Sequence, residues 1–124
     1  MSARLWVMIA GPWSSGGADE VTRQANLARL DEVALAVLRR GHLPIVGVNL
    51  ALPLARAAAS ATPAERDALV LEVSLAAAER CDAVLRIEGV SVGADREVAR
   101  IAARGGAVFH HLDELPDIAA EDLE

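Results

Sequence analysis

A chain of 124 residues is the length of one ordinary domain, and 53% apolar content with 24% charged residues excludes a disordered segment. The formal charge of −6 argues against nucleic acid as a partner, because phosphate backbones are bound by clustered basic side chains and no such stripe is present. All twelve basic residues are arginines, so P-loop and lysine Schiff-base chemistries are excluded, and a receiver domain of similar size would lack its lysine.

Residues 4–10, "RLWVMIA", form a continuous apolar run closed by Gly11 and Pro12, as expected of a strand buried on both faces. From Asp19 to Arg40 the apolar positions Val21, Ala25, Leu27, Leu30, Val33, Ala34, Val37 and Leu38 recur at helical spacing, with Gly41 at the place of a C-cap glycine. "LPIVGV" (43–48) reads as a second strand, and the stretch after it as a loop with room for a short helix. A helix over Pro63–Arg80 is announced by Thr62 as cap, Pro63 in the first turn and Glu65 as a first-turn acid. "DAVLRIE" is a third strand, Ala94–Arg104 a further helix, "AVFHH" a fourth strand, and the tail from Leu112 a short acidic helix or frayed end.

Strands alternating with helices predict a single-domain α/β fold. The expected architecture is an open parallel sheet of four to five strands in a Rossmann/flavodoxin-like three-layer sandwich. No apolar run approaches the roughly 20 residues that span a bilayer, and no signal peptide opens the chain, so a cytoplasmic location away from membranes is expected. Cys81 is the lone cysteine and cannot form an internal disulfide, in keeping with that compartment. His42, His110 and His111 show no metal-ligand spacing with Cys81, so no metal is expected.

Ligands of open parallel sheets bind beyond the carboxyl ends of the strands, where strand order reverses. The two most glycine- and serine-rich stretches follow strands one and three: "AGPWSSGGAD" and "EGVSVGAD". Glycines there let backbone amides approach an anion, and the helix that follows adds unpaired N–H groups.

"VMIAGPW", a long helix ending in "RRGH", and "CDAVLRIEGVSVGADREVARIAARGGAVF" together resemble the nucleoside 2-deoxyribosyltransferase superfamily, including its nucleoside 5′-monophosphate N-glycosidase branch. The resemblance covers nearly the whole chain. It rests on Ala10, Gly11 and Pro12 after the first strand, Asp82 opening the third, and a Ser-x-Gly-x-x-x-Glu segment formed by Ser91, Gly93 and Glu97. It implies that Glu97 attacks the anomeric carbon of a ribose or deoxyribose, with Asp82 in support. Ser91 and the amides around Gly93 would hold a 5′-hydroxyl or 5′-phosphate. Ala10, Gly11 and Pro12 would line the sugar, and Trp13 would stack on the base. The implied partner is a small nucleoside or nucleotide, no cofactor is needed, and assembly as a homodimer or larger homo-oligomer is expected, with "LALPLARAAASA" a candidate contact surface. Where family members carry an acid on the helix before the third strand, this chain has Ser74, which could hydrogen-bond the sugar, with Glu72 close by. The Gly-Gly-x-Gly-Thr-x-x-Glu run of the cytokinin-nucleotide phosphoribohydrolases is missing.

Each of these residues also has a structural reading. Glu97 and Asp95 can complement the helix dipole, Ser91 can shape the turn, and Gly11, Gly16, Gly17 and Gly93 can serve positive φ. Asp82 can receive nearby backbone amides, Asn49 can make a local turn, and Cys81 can belong to the core. Trp13 can cover the sheet edge or a subunit contact. A protein that binds a nucleotide or other small metabolite on the same fold without turnover is the alternative to the enzyme.

Overall fold

The computed structural model describes residues 3–15, 17–59 and 62–118. Gly16, residues 60 and 61, and the acidic tail from residue 119 lie outside the described residues. The elements are β1 (Trp6–Ala10), α1 (Glu20–Arg39), β2 (Leu43–Ile45), α2 (Gly47–Ala57), α3 (Pro63–Ala78), β3 (Ala83–Arg86), α4 (Val92–Ala102), β4 (Ala107–Phe109) and a 3-10 turn at Leu112–Glu114. The four strands form one all-parallel sheet in the order β2-β1-β3-β4. The fold is an open α/β sandwich of the Rossmann/flavodoxin kind.

Alternation along the strands divides the core in two. Val7, Ile9, Ala83 and Leu85 face the side covered by Leu30 and Val37 of α1. Met8, Ala10 and Val84 face Ala78 of α3 and Ala94 and Ile101 of α4. Cys81 belongs to that second cluster; burial, with Asp82 adding to it, pushes its thiol up to about 11, so it is a packed thiol and not a thiolate. Among the described residues, no helix is long and apolar enough to cross a membrane.

Two segments depart from the sequence expectation. The run "LPIVGV" ends as a strand at Ile45, and Gly47 opens an 11-residue helix through a segment expected to be mostly loop. Pro53 sits inside that helix and removes one backbone donor, which weakens the local signal. Packing overrides it: Val48, Ala51 and Ala55 are buried, while Leu50 and Leu54 stay half-exposed on the outer face. Asn49 makes no loop turn; it stands in the first turn of α2 and donates through Nδ2 to Asp31 Oδ1 at 2.6 Å.

The tail is the second departure. Helical structure is confined to Leu112–Glu114, and the chain then runs extended with Leu115 and Ile118 buried. It is held to the end of α1 by Arg40, whose Nη2 donates to the Leu115 carbonyl at 2.6 Å and whose own carbonyl receives Ile118 N at 3.0 Å. His42 completes the seam. With 0% exposure, its Nδ1 accepts from Leu5 N at 3.0 Å and its Nε2 lies 2.6 Å from the Pro116 carbonyl, which is the Nε2–H tautomer. His42→Ala removes the hydrogen-bond partner of the Leu5 N–H and of the Pro116 carbonyl and opens space at a fully buried position. The expected loss is about 2–4 kcal/mol, read as a lower urea midpoint at constant slope; an unchanged midpoint would show that the seam carries no stability.

Candidate functional site

The chain leaves β1 for β2 on one side and returns to β3 on the other, so β1 and β3 flank the point where strand order reverses. The loops after them meet there. Ile87 N donates to the Ala10 carbonyl at 2.8 Å, extending the pairing one residue past β3. Gly11 lies under this pairing: a Cβ on it would stand 3.0 Å from Ile87 Cβ and 3.2 Å from Leu30 Cδ2. Gly89 meets two demands at once, a φ of +122° and a Pro12 ring whose Cγ would be 2.5 Å from an added Cβ.

Arg86, the last residue of β3, ties the second loop down. It donates to the carbonyls of Ile87 and of Gly89, the latter at 2.9 Å, and pairs with Asp95 at 3.0 Å. Ser91 caps α4, its Oγ accepting from Ala94 N at 3.1 Å. The helix therefore begins at Val92, two residues before the expected start. Its buried stripe is Ala94, Glu97 and Ile101, which places an acid in line with two apolar side chains.

Glu97 is 8% exposed, and no group among the described residues hydrogen-bonds its carboxyl. Burial pushes it up to about 8, against an opposing pull from the Arg86 guanidinium. It borders a cavity of about 400 Å³ between α3, α4 and the two loops. The α4 wall carries Ser91, Gly93 and Arg96, and the amides of Val92 and Gly93 make no hydrogen bond among the described residues. With the positive end of the helix and the Arg96 guanidinium, that rim can receive an anion. The opposite wall is the α3 face Asp67, Val70, Leu71 and Ser74, and Trp13, Ser14 and Ser15 close the cavity from the first loop.

Comparison with protein-family models and with curated proteins finds no match to this chain.

Of the residues singled out by sequence, Gly11, Trp13, Ser74, Ser91, Gly93 and Glu97 border the cavity. Ala10 does not: it is fully buried, with its methyl in the core beside Met8. Pro12 packs on Gly89 behind the cavity wall. Asp82 stands at the amino end of β3, the opposite rim of the sheet, where its carboxylate accepts from Trp6 N at 2.8 Å. That position supplies no catalytic partner for Glu97. Gly17 has a φ of +71°, a backbone role. Ser74 packs against Gly47, an added Cβ on which would lie 2.2 Å from its Oγ.

Asp67 and Arg96 are cavity residues the sequence reading did not single out. For Asp67 a signal existed: 67, 70, 71 and 74 form one helical face whose two ends are polar. Arg96 sits beside the Glu of Ser-x-Gly-x-x-x-Glu, and only the placement of α4 turns it toward the cavity.

Proposed function

We propose that this protein cleaves the N-glycosidic bond of a nucleoside or nucleoside 5′-monophosphate, as hydrolase or transferase, in the manner of the nucleoside 2-deoxyribosyltransferase superfamily. The observation that carries the reading is Glu97, a buried carboxyl without a hydrogen-bond partner among the described residues, at the border of a cavity of about 400 Å³ at the strand-order reversal. In the ionised enzyme, a Glu97 oxygen attacks C1′, the C1′–N bond breaks, and its electron pair leaves with the base, which takes up a proton. Water or a second base then attacks C1′ and frees the carboxylate. The transition state is cationic at the sugar, and a desolvated carboxylate stabilises it more than a hydrated one would. Arg96 and the free amides of α4 suit a 5′-phosphate. The apolar faces of Trp13, Val70 and Leu71 suit a base.

The reading is tested by incubating the protein with ribo- and deoxyribonucleoside monophosphates and measuring free base. A nucleophile must be ionised, and Glu97 titrates near 8. Turnover at limiting substrate is therefore expected to rise about tenfold per pH unit below that value and level off above it. No free base at any pH would defeat the reading, and a rate that falls above pH 8 would make Glu97 an acid instead of a nucleophile. Binding without turnover is the second reading, favoured by Ser74 standing where the resembled enzymes carry an acid.

A further inference from the structure

Resting on that reading, we infer that Asp67 selects the base, and that the site takes nucleotides whose base carries an exocyclic amino group. Helices α3 and α4 both run from the carboxyl rim of the sheet to its amino rim, and Gly93 faces Leu71, an added Cβ on Gly93 lying 3.8 Å from Leu71 Cδ1. From that contact Glu97 lies four residues deeper along α4, and Asp67 lies four residues toward the mouth along α3. At 1.5 Å per residue the two carboxyl-bearing positions are about 12 Å apart along the helix axes. Both residues line the same cavity, Glu97 in its depth and Asp67 at its mouth, so a nucleotide whose C1′ meets Glu97 has its base directed toward Asp67.

Arg66 joins the surface that stacks to the group that reads. Its guanidinium carbon sits 5.0 Å from the Trp13 ring centre. Its Nε and Nη2 both donate to Asp67 Oδ1, at 3.1 and 3.0 Å. Trp13 is in turn fixed through its carbonyl, which accepts from Asn26 Nδ2 at 2.8 Å. Among the described residues Oδ2 of Asp67 makes no hydrogen bond. A carboxylate oxygen only accepts, so it matches an amino group and repels the oxo oxygen that replaces it in uracil or hypoxanthine.

The test uses matched pairs, cytidine against uridine and adenosine against inosine 5′-monophosphates. Turnover is measured in the wild-type protein and equilibrium binding in Glu97→Gln, with circular dichroism confirming that each variant folds. The amino member of each pair is expected to bind about tenfold more tightly. In Asp67→Ala the members become equal. In Asp67→Asn, with Arg66 still holding Oδ1, the amide NH2 replaces Oδ2 and the preference reverses toward the oxo bases, a change that a merely structural role for Asp67 would not produce. Equal binding of each pair by Glu97→Gln, or a preference unchanged in Asp67→Asn, overturns the assignment while leaving cleavage intact. Amino selectivity without release of base defeats the enzyme reading and keeps the assignment, and no binding of any nucleotide ends both.

Discussion

Glu97→Gln is expected to lower release of base by at least about a thousandfold and, at the same time, to make the protein more stable at pH 8. The first effect follows from the loss of the nucleophile of the proposed reaction, since an amide of nearly the same shape is a far poorer nucleophile. The second follows from burial. Glu97 titrates near 4.5 in the unfolded chain and near 8 in the folded one. Between those values the folded state holds a proton that the unfolded state has lost, so stability falls as pH rises through the window and is fully present only below it. The slope is up to about 1.4 kcal/mol per pH unit for this one carboxyl. The glutamine side chain of the variant does not titrate and escapes this loss. The two proteins should therefore unfold at similar temperatures near pH 5 and diverge by pH 8, with the variant higher. Retained turnover would remove Glu97 from the chemistry, and a melting difference that does not change with pH would show that its carboxyl does not titrate in this window.

The same burial explains what sequence could reveal of the site. Glu97 was legible as a residue, because Ser-x-Gly-x-x-x-Glu after a strand places an acid in the early turns of a helix. Its dipole-complementing alternative could not be dismissed from spacing, since a first-turn acid is ordinarily exposed. The decision came from packing: α4 starts at Val92, which leaves Asp95 as the first-turn acid, and the face shared by Ala94, Glu97 and Ile101 is the one turned into the fold. β1, α1, α3 and β3 were legible through continuous apolar runs, helical periodicity and the Thr62-Pro63 start. By contrast, α2 carries an internal proline and follows an apolar run too short to tell strand from helix, so only its packing against α3 decides its state. Asp82 and Asp67 are complementary cases. A strand-opening acid drew attention through resemblance, yet it serves the far rim, whereas Asp67, in the second turn of α3, reaches the cavity only because α3 and α4 pack side by side.

Gly47→Ala should destabilise the protein by about 2–3 kcal/mol, opposite in sign to the ordinary effect of the substitution. Within a helix, alanine is favoured over glycine by up to about 1 kcal/mol, so propensity alone would stabilise α2. Contact decides the matter. The added Cβ would lie 2.2 Å from Ser74 Oγ, 2.7 Å from Ser74 Cβ and 3.0 Å from Ser74 Cα, and the last is backbone of α3 that cannot swing away. The two helices must part, and they part at Ser74 and Val48, which both border the cavity. Loss of stability and weaker nucleotide binding should appear together. Adding Ser74→Gly removes the two nearest atoms and leaves only the 3.0 Å contact, so the pair should recover part of the loss, with a coupling energy that a four-protein urea series reads directly. Should Gly47→Ala prove more stable than the wild type, the close approach of α2 to α3 would be wrong, and with it the wall of the cavity on which Ser74 stands.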